Sequence, residues 1–303
     1  MISDARTAVE RSWADRVRAN REQVDRVREV PDGPDFYAPV TSLFRADPRR
    51  TDEPVLDLLR ALVEPGDTWL DIGAGAGRYA LPLALLAREV IALDPSTGML
   101  DALRDQMTEL GIANIRPIEG RWPPDAAVAA ALGPSPIADV ALIAHVGYDV
   151  EAIGPFVDAM EEASRRLCVA VLMERQPASV ADPFWPLVHG ESRVTLPALP
   201  EFLELLRARG RDPRVTVVRR EPRTFATMAE LEGFLRRQLW IADGGDKERR
   251  YRAALERLVV ERDGGFGLRD QAPMPVGVAV WRPGTGSADR PGNRRSGAAV
   301  SGP

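Results

Sequence analysis

Two carboxylates and three glycines carry most of the chemistry in this chain. The string Trp69-Leu70-Asp71-Ile72-Gly73-Ala74-Gly75-Ala76-Gly77-Arg78 falls where a short apolar run gives way to a helical pattern. Glycines at such a strand-to-helix turn let a ligand approach the backbone closely and leave the first amides of the helix to bind it. A dinucleotide loop reads G-x-G-x-x-G, which would place its third glycine at position 78, but that residue is Arg78 and the glycine stands at Gly77. Asp71, two residues ahead of the first glycine, would repel a pyrophosphate and attract a ligand with a cationic end. Asp94 follows Gly77 by 17 residues, at the end of a second apolar run. That is near the distance at which open α/β sheets present an acid to ribose hydroxyls.

Two further side chains qualify as catalytic candidates. His145, in Ala144-His145-Val146-Gly147-Tyr148-Asp149, follows the fourth apolar run, at the edge where such sheets bind ligands. An imidazole with an ordinary pKa near 6.5 suits either a general base or an orienting hydrogen-bond partner; a purely structural hydrogen bond is the alternative. Tyr148 is the second candidate, with loop packing as its alternative.

The elements that must position these residues alternate. Strands are expected at Thr68–Ile72, Glu89–Leu93, Ile115–Ile118, Val140–Ala144 and Cys168–Met173, with helices at Arg78–Ala87, Gly98–Leu110, Asp125–Leu132 and Ile153–Leu167 between them. Such alternation predicts parallel strands with right-handed crossovers, hence an α/β, doubly wound, mostly parallel sheet. Ahead of it, Val9, Trp13, Val17, Val24 and Val27 mark an amphipathic helix from Asp4 to about Val30, and Pro54–Val63 reads as another. Helices at Leu199–Arg209, Ala229–Trp240 and Glu248–Val260 and strands at Arg214–Arg219 and Val276–Trp281 complete the pattern. The expected organisation is an N-terminal helix and lid segment (1–53), a ligand-binding domain (54–282) with a helical cap at about 225–270 before the last strand, and a disordered tail (283–303) with almost nothing to bury.

From Pro54 to Met173 the glycine string and the spacing of the five strands resemble the class I S-adenosylmethionine-dependent methyltransferases. The resemblance implies a Rossmann-like fold, S-adenosylmethionine as cofactor, and transfer of its methyl group to an acceptor. Carried over by position, it places Asp71 near the methionine ammonium, Gly73, Gly75 and Gly77 under the methionine and ribose, and Asp94 on the ribose hydroxyls. Asp94-Pro95-Ser96-Thr97-Gly98-Met99-Leu100 resembles the small-molecule members of the family, in which Pro95, Ser96 and Met99 would border the adenine. Relatives commonly have Gly-Asp after the third strand, whereas this chain has Glu119-Gly120-Arg121-Trp122, so Gly120, Arg121 and Trp122 are cofactor-binding candidates without that acid. Glu119 or backbone groups of Arg121 and Trp122 are the substitutes. Phe36, Tyr37, Phe44 and Arg45 stand where relatives fold a lid, and Tyr37 is a further cofactor candidate. In the cap, Arg223, Thr224, Phe225, Phe234, Gln238, Trp240 and Arg269 are candidates to line an acceptor pocket, while His189 reads as structural.

Composition narrows the acceptor and the setting. The 303 residues carry 40 basic and 45 acidic side chains, a net charge of -5, which is the wrong sign for a dedicated nucleic-acid binder. The chain also lacks the Asn/Asp-Pro-Pro-aromatic string of many enzymes that methylate planar amino nitrogens, so a small-molecule acceptor is expected. A single cysteine, Cys168, and two histidines leave no His/Cys zinc site, and no metal is expected. No apolar run approaches the roughly 18 residues of a membrane span, and the charged N-terminus has no secretory h-region; a cytoplasmic location is the expectation. The oligomeric state is left open. Two rivals stand beside the enzyme reading: a non-catalytic S-adenosylmethionine-binding module, supported by Gly120-Arg121, and a nicotinamide-dependent oxidoreductase, disfavoured by Asp71 and the glycine spacing.

Overall fold

The computed structural model describes residues 2–31, 46–262 and 264–284. A seven-stranded sheet runs in the order β3-β2-β1-β4-β5-β9-β6, built from β1 (Thr68–Ile72), β2 (Glu89–Asp94), β3 (Ile115–Glu119), β4 (Ala138–Ala144), β5 (Ser164–Met173), β6 (Arg214–Arg220) and β9 (Met274–Trp281). The first five are parallel, as expected. β9 inserts between β5 and β6 and runs antiparallel to both. Thus β6 points the same way as β5, and the carboxyl ends of β1, β2, β4, β5 and β6 share one edge. β1 is buried throughout, as a parallel strand covered on both faces must be.

One face of the sheet is covered by α1 (Ile2–Val27), α6 (Ile153–Ala163) and α8 (Leu199–Ala208), the other by α2 (Pro54–Arg60), α3 (Ala80–Ala84) and α4 (Thr97–Leu110). The short α5 (Ala126–Leu132) packs Leu132 into the first of these layers. The Glu10 side chain of α1 reaches over Gly154 of α6, where a Cβ would sit 2.7 Å from its carboxyl carbon. Trp13 then closes the contact, donating from Nε1 to the Val150 carbonyl at 2.9 Å and meeting Phe202 edge-on. Arg209, its side chain 2 % exposed, is paired with both Glu10 and Asp158.

A third apolar cluster lies beyond the sheet. It joins α7 (Trp185–His189), α9 (Met228–Leu239), α10 (Asp246–Leu258) and the hairpin β7 (Val259–Arg262) and β8 (Gly265–Leu268) to Val24 and Val27 of α1. The helix α1 therefore runs from the sheet to this helical unit. Among the described residues no helix is long and apolar enough to cross a membrane.

The structure shifts several expected boundaries. The helix expected from Arg78 is only Ala80–Ala84, because residues 73–79 stay in the glycine turn. The helix expected to reach Leu167 stops at Ala163: Ser164 pairs with Ala138 of β4 and begins β5 four residues early, a ladder overriding local propensity. The helix expected to reach Val260 ends at Leu258, where Val259 and Val260 turn into a hairpin whose tip carries Gly264 at φ +73°. A 3-10 turn (Pro177–Ala181) and α7 fill a stretch with no expected element.

One ion-pair network fixes the end of the glycine turn to the start of α2. Glu53 accepts from Arg50 Nε and Arg78 at 2.7 Å and from the Tyr79 hydroxyl at 2.9 Å, while Arg50 also donates to the Arg78 carbonyl at 2.9 Å. Burial alone would raise the Glu53 pKa, but the Arg78 charge and the Arg50 and Arg78 hydrogen bonds outweigh it and hold the carboxyl down at about 2. A depressed carboxyl stabilises the fold above its unfolded pKa and loses that contribution as pH falls through its folded one. Glu53→Gln is therefore expected to lower unfolding free energy at pH 7 by about 2–4 kcal/mol. In urea titrations the gap from the parent should close as pH falls from about 4.5 towards 2; equal midpoints at pH 7 would refute the network's role.

Candidate active site

The glycine turn is shaped by what lies against it. Gly73, Gly75 and Gly77 have φ of +76°, +54° and +85°, the left-handed region that side chains rarely adopt. Gly73 and Gly77 also lack room: a Cβ would sit 2.4 Å from Val146 Cγ2 and 2.5 Å from Leu103 Cδ1, respectively. Gly75 differs, because only Met99 Sδ, at 3.9 Å, would come near its Cβ. The surface over Gly75 is thus open to a ligand.

The first three amides of this turn are already engaged. Gly73 and Ala74 donate to the Leu93 carbonyl at 2.7 and 3.1 Å, and Gly75 donates to Asp94 Oδ2 at 2.8 Å. Their partner is the end of β2, so the turn is tied to the neighbouring strand rather than left as an anion cradle. Asp94 Oδ1 accepts from Ser96 N–H at 2.9 Å, and Ser96 caps α4 by accepting from Met99 N–H at 3.1 Å. Asp94 is accordingly a buried hinge between turn and helix. A carboxylate has about four lone-pair positions, so these backbone bonds leave it able to accept from ribose hydroxyls as well.

Asp71 is 2 % exposed, and its Oδ1 has no hydrogen-bond partner. Burial, with the nearby Asp94 charge added, raises its carboxyl to about 7. A buried acid in that condition is suited to a cation placed beside it. An ammonium group would satisfy the orphaned oxygen and balance the paired carboxylates. Asp71, Gly75 and Asp94 therefore fit S-adenosylmethionine, offering an acceptor for its cationic end, an open backbone surface and an acceptor for its ribose.

The remaining candidates divide. Met99 is buried beside Gly75, while Pro95 is exposed at the adjoining turn. Gly120 donates to the Asp94 carbonyl at 3.0 Å, which brings the end of β3 to the same edge; a Cβ there would lie 2.6 Å from Val128 Cγ2. Arg121 is exposed, and Trp122 packs partly into the sheet core, its Nε1 donating to the Phe156 carbonyl at 3.1 Å. Phe36, Tyr37, Phe44 and Arg45 lie outside the described residues.

His145 is held at the carboxyl end of β4 by its amide, which donates to the Val171 carbonyl at 2.8 Å. Its φ of +61° is unusual for a side-chain-bearing residue and costs about 1–3 kcal/mol. The imidazole Nδ1 is sealed from solvent and has no partner. Burial, then the charges of Arg220 and Arg78, push its pKa down to about 3 against a smaller opposing effect of Glu53. Tyr148 is buried, and its oxygen accepts from the Met173 amide at 2.8 Å, tying the loop after β4 to the end of β5. Burial raises its pKa well beyond the usual phenol range.

Sequence reasoning missed Arg220, which ends β6, and it did not connect Arg78 and Glu53 to this edge. Beyond β6, the Arg223 guanidinium lies 4.8 Å from the Phe225 ring centre and 5.5 Å from that of Phe234. His189 lies against Trp185 at 4.6 Å with both ring nitrogens sealed and unpartnered. Among the described residues no group of three His, Cys, Asp or Glu side chains is placed to hold a metal.

Comparison with known proteins agrees with this geometry. Residues 70–130 match the family described as methyltransferase domain, a segment that holds Asp71, the three glycines, Asp94 and Gly120. An uncharacterized protein of Haemophilus influenzae is 39 % identical over 66 residues, which are 22 % of this chain; the match spans a quarter of that relative's length. The YcgJ protein of Bacillus subtilis superposes with a TM-score of 0.52 at 15 % identity, covering 75 % of this chain and 97 % of its own. A protein of Bacillus halodurans assigned as a methyltransferase superposes with a TM-score of 0.51 at 12 % identity, covering 77 % and 99 %. At such identities the superpositions speak for the fold. Residues 70–130 thus match a methyltransferase-domain family, and the chain carries them on the fold shared with these two structures.

Proposed function

We propose that this chain is a methyltransferase acting on a small-molecule acceptor, with Asp71 and Asp94 holding the cofactor. The observation that carries this reading is the unpartnered, buried Asp71 oxygen beside Asp94 and the open backbone of Gly75. When bound, S-adenosylmethionine would supply a methyl carbon open to in-line attack by an acceptor nucleophile, the C–S bond breaking with its electron pair left on the sulfur of S-adenosylhomocysteine. The protein's part is then to align the acceptor and exclude water. The acidic net charge supports a small molecule over nucleic acid.

His145 is assigned a positioning role. An imidazole whose conjugate acid forms near pH 3 is neutral at physiological pH and takes up a proton poorly. Its unpartnered Nδ1 serves as a hydrogen-bond partner for the acceptor. Tyr148, already spent on the Met173 amide, supports the loop that carries His145.

Three outcomes follow. Titration calorimetry with S-adenosylhomocysteine should show binding that Asp94→Ala weakens by about 1.5–3 kcal/mol, the scale of a hydrogen bond to a charged group. Asp94→Asn, which keeps the shape, should show a loss of the same sign; no binding to the parent would end this reading. Below pH 7 Asp71 is protonated in the free protein, and a neighbouring ammonium lowers its pKa, so binding expels a proton. Affinity should therefore rise with pH towards about 7 and level off above it. Calorimetry in buffers of different ionisation enthalpy should detect the released proton in the parent and not in Asp71→Asn. Finally, the His145 ring resonances should stay constant between pH 8 and 5 in NMR titration; an inflection near 6.5 would restore it as a general base.

A further inference from the structure

The edge that carries Gly75 and His145 also gathers positive charge that nothing in the cofactor reading uses. Arg78 follows β1, His145 follows β4, Arg220 is the last residue of β6, and Arg223 stands three residues on. Arg220 pairs in the ladder with Met274, the first residue of β9, which fixes it at the carboxyl edge. Arg223 is mounted rigidly: its guanidinium rests on Phe225 and Phe234. Phe225 in turn is bonded through both backbone groups to Phe266 of the hairpin, at 2.9 and 2.8 Å.

Two of these cations, Arg220 and Arg223, have no salt-bridge partner among the described residues. Among the described residues the side chains of Arg220 and Arg223 make no ion pair and no hydrogen bond, in a chain whose arginines elsewhere pair freely with acids. Arg78 is held by Glu53 on one side, yet its Nε is buried without a partner. Sealed His145 Nδ1, also unpartnered, faces the same charges. Burial, with the charges of Arg220 and Arg78 added, lowers the Arg223 pKa, and Glu230 opposes this only weakly. Like charges gathered at one edge, Arg223 among them on an aromatic base, with donors left open, are what an oxyanion site consists of.

We propose that Arg220 and Arg223, flanked by Arg78 and His145, form a receiving site for a carboxylate or phosphate carried by the methyl acceptor. The proposal rests on the methyltransferase reading and narrows its substrate to an anionic small molecule. Two oxyanions could come to this edge, the acceptor's and the carboxylate of the cofactor's methionine. Position favours the acceptor: β4, β5 and β9 separate β6 from β1 and its glycine turn, about four spacings of roughly 4.8 Å. Arg78, next to that turn, is the member nearest the cofactor. His145 fits the role as well, because a neutral ring adds a hydrogen bond without adding to the repulsion among the arginines.

The test uses the full chain loaded with S-adenosylhomocysteine and titrated with inorganic phosphate and, separately, with benzoate in low-chloride buffer. At least one anion should bind with unit stoichiometry. Arg220→Met and Arg223→Met should each weaken that binding tenfold or more while S-adenosylhomocysteine affinity stays within twofold. Arg223→Lys, which keeps the charge and lets the aromatic base stay covered, should fall between the parent and Arg223→Met. Thermal midpoints near the parent's establish that these variants fold. If neither anion binds the loaded parent, or if the variants bind it unchanged, the proposal is overturned while the cofactor reading stands. If Arg220→Met and Arg223→Met weaken S-adenosylhomocysteine itself tenfold, the arginines hold the cofactor's carboxylate and the proposal is again overturned. Failure of the parent to bind S-adenosylhomocysteine takes down both readings.

Discussion

Burying Asp71 next to Asp94 is the least favourable act of this sheet, and the rest of the site is arranged around it. Asp71 sits on a strand buried throughout, with an oxygen that no protein donor reaches. Between the ordinary aspartate pKa and about 7 the folded chain keeps a proton that the unfolded chain releases, so in this window Asp71 makes the fold less stable as pH rises. Such an arrangement persists when something outside the chain removes the cost. A cation bound beside Asp71 does so, and its differential interaction with the ionised acid is affinity obtained from a strain the apo fold already carries.

Asp94 has the opposite character. Its oxygens are met by the Gly75 and Ser96 amides, so the carboxylate joins the turn after β1 to the helix after β2. The glycines serve this joint more than they serve a ligand. Gly73 and Gly77 are glycine because Val146 and Leu103 occupy the space a side chain would need, and only Gly75 combines a left-handed backbone with open space. The turn is held by β2, by Val146 from the β4 loop and by Glu53 through Arg78 and Tyr79. A surface fixed from three sides needs little reorganisation when a ligand arrives.

The parallel part of the sheet was legible because buried parallel strands read as short apolar runs punctuated by turn residues. Thr68–Ile72 is recovered to the residue, and β2, α4 and β3 to within one or two. Legibility failed where long-range pairing overrode a local preference. Ser164-Arg165-Arg166-Leu167 continues a helical pattern, and only its ladder with β4 makes it strand. Val259 and Val260 extend the rhythm of α10 until the pairing with β8 takes them. The acids of the site were readable from spacing to the glycines. Glu53 was not, since its role depends on three partners up to 26 residues away that no local pattern connects.

Arg220 shows the same limit in sharper form. In sequence it is one arginine of Arg219-Arg220 on a strand with five of its seven positions exposed, and nothing local distinguishes it from a solvated charge. Its significance comes from topology: β9 runs antiparallel between β5 and β6, so the end of β6 returns to the edge where the glycine turn and His145 already lie. Were β6 reversed, Arg220 and Arg223 would leave from the opposite edge. The antiparallel strand is thus what brings a second, cationic element to a sheet whose own contribution to the edge is two buried acids. Acids near the middle of the sheet and arginines towards its β6 side thus give the one edge charges of opposite sign, separated by the width of the intervening strands.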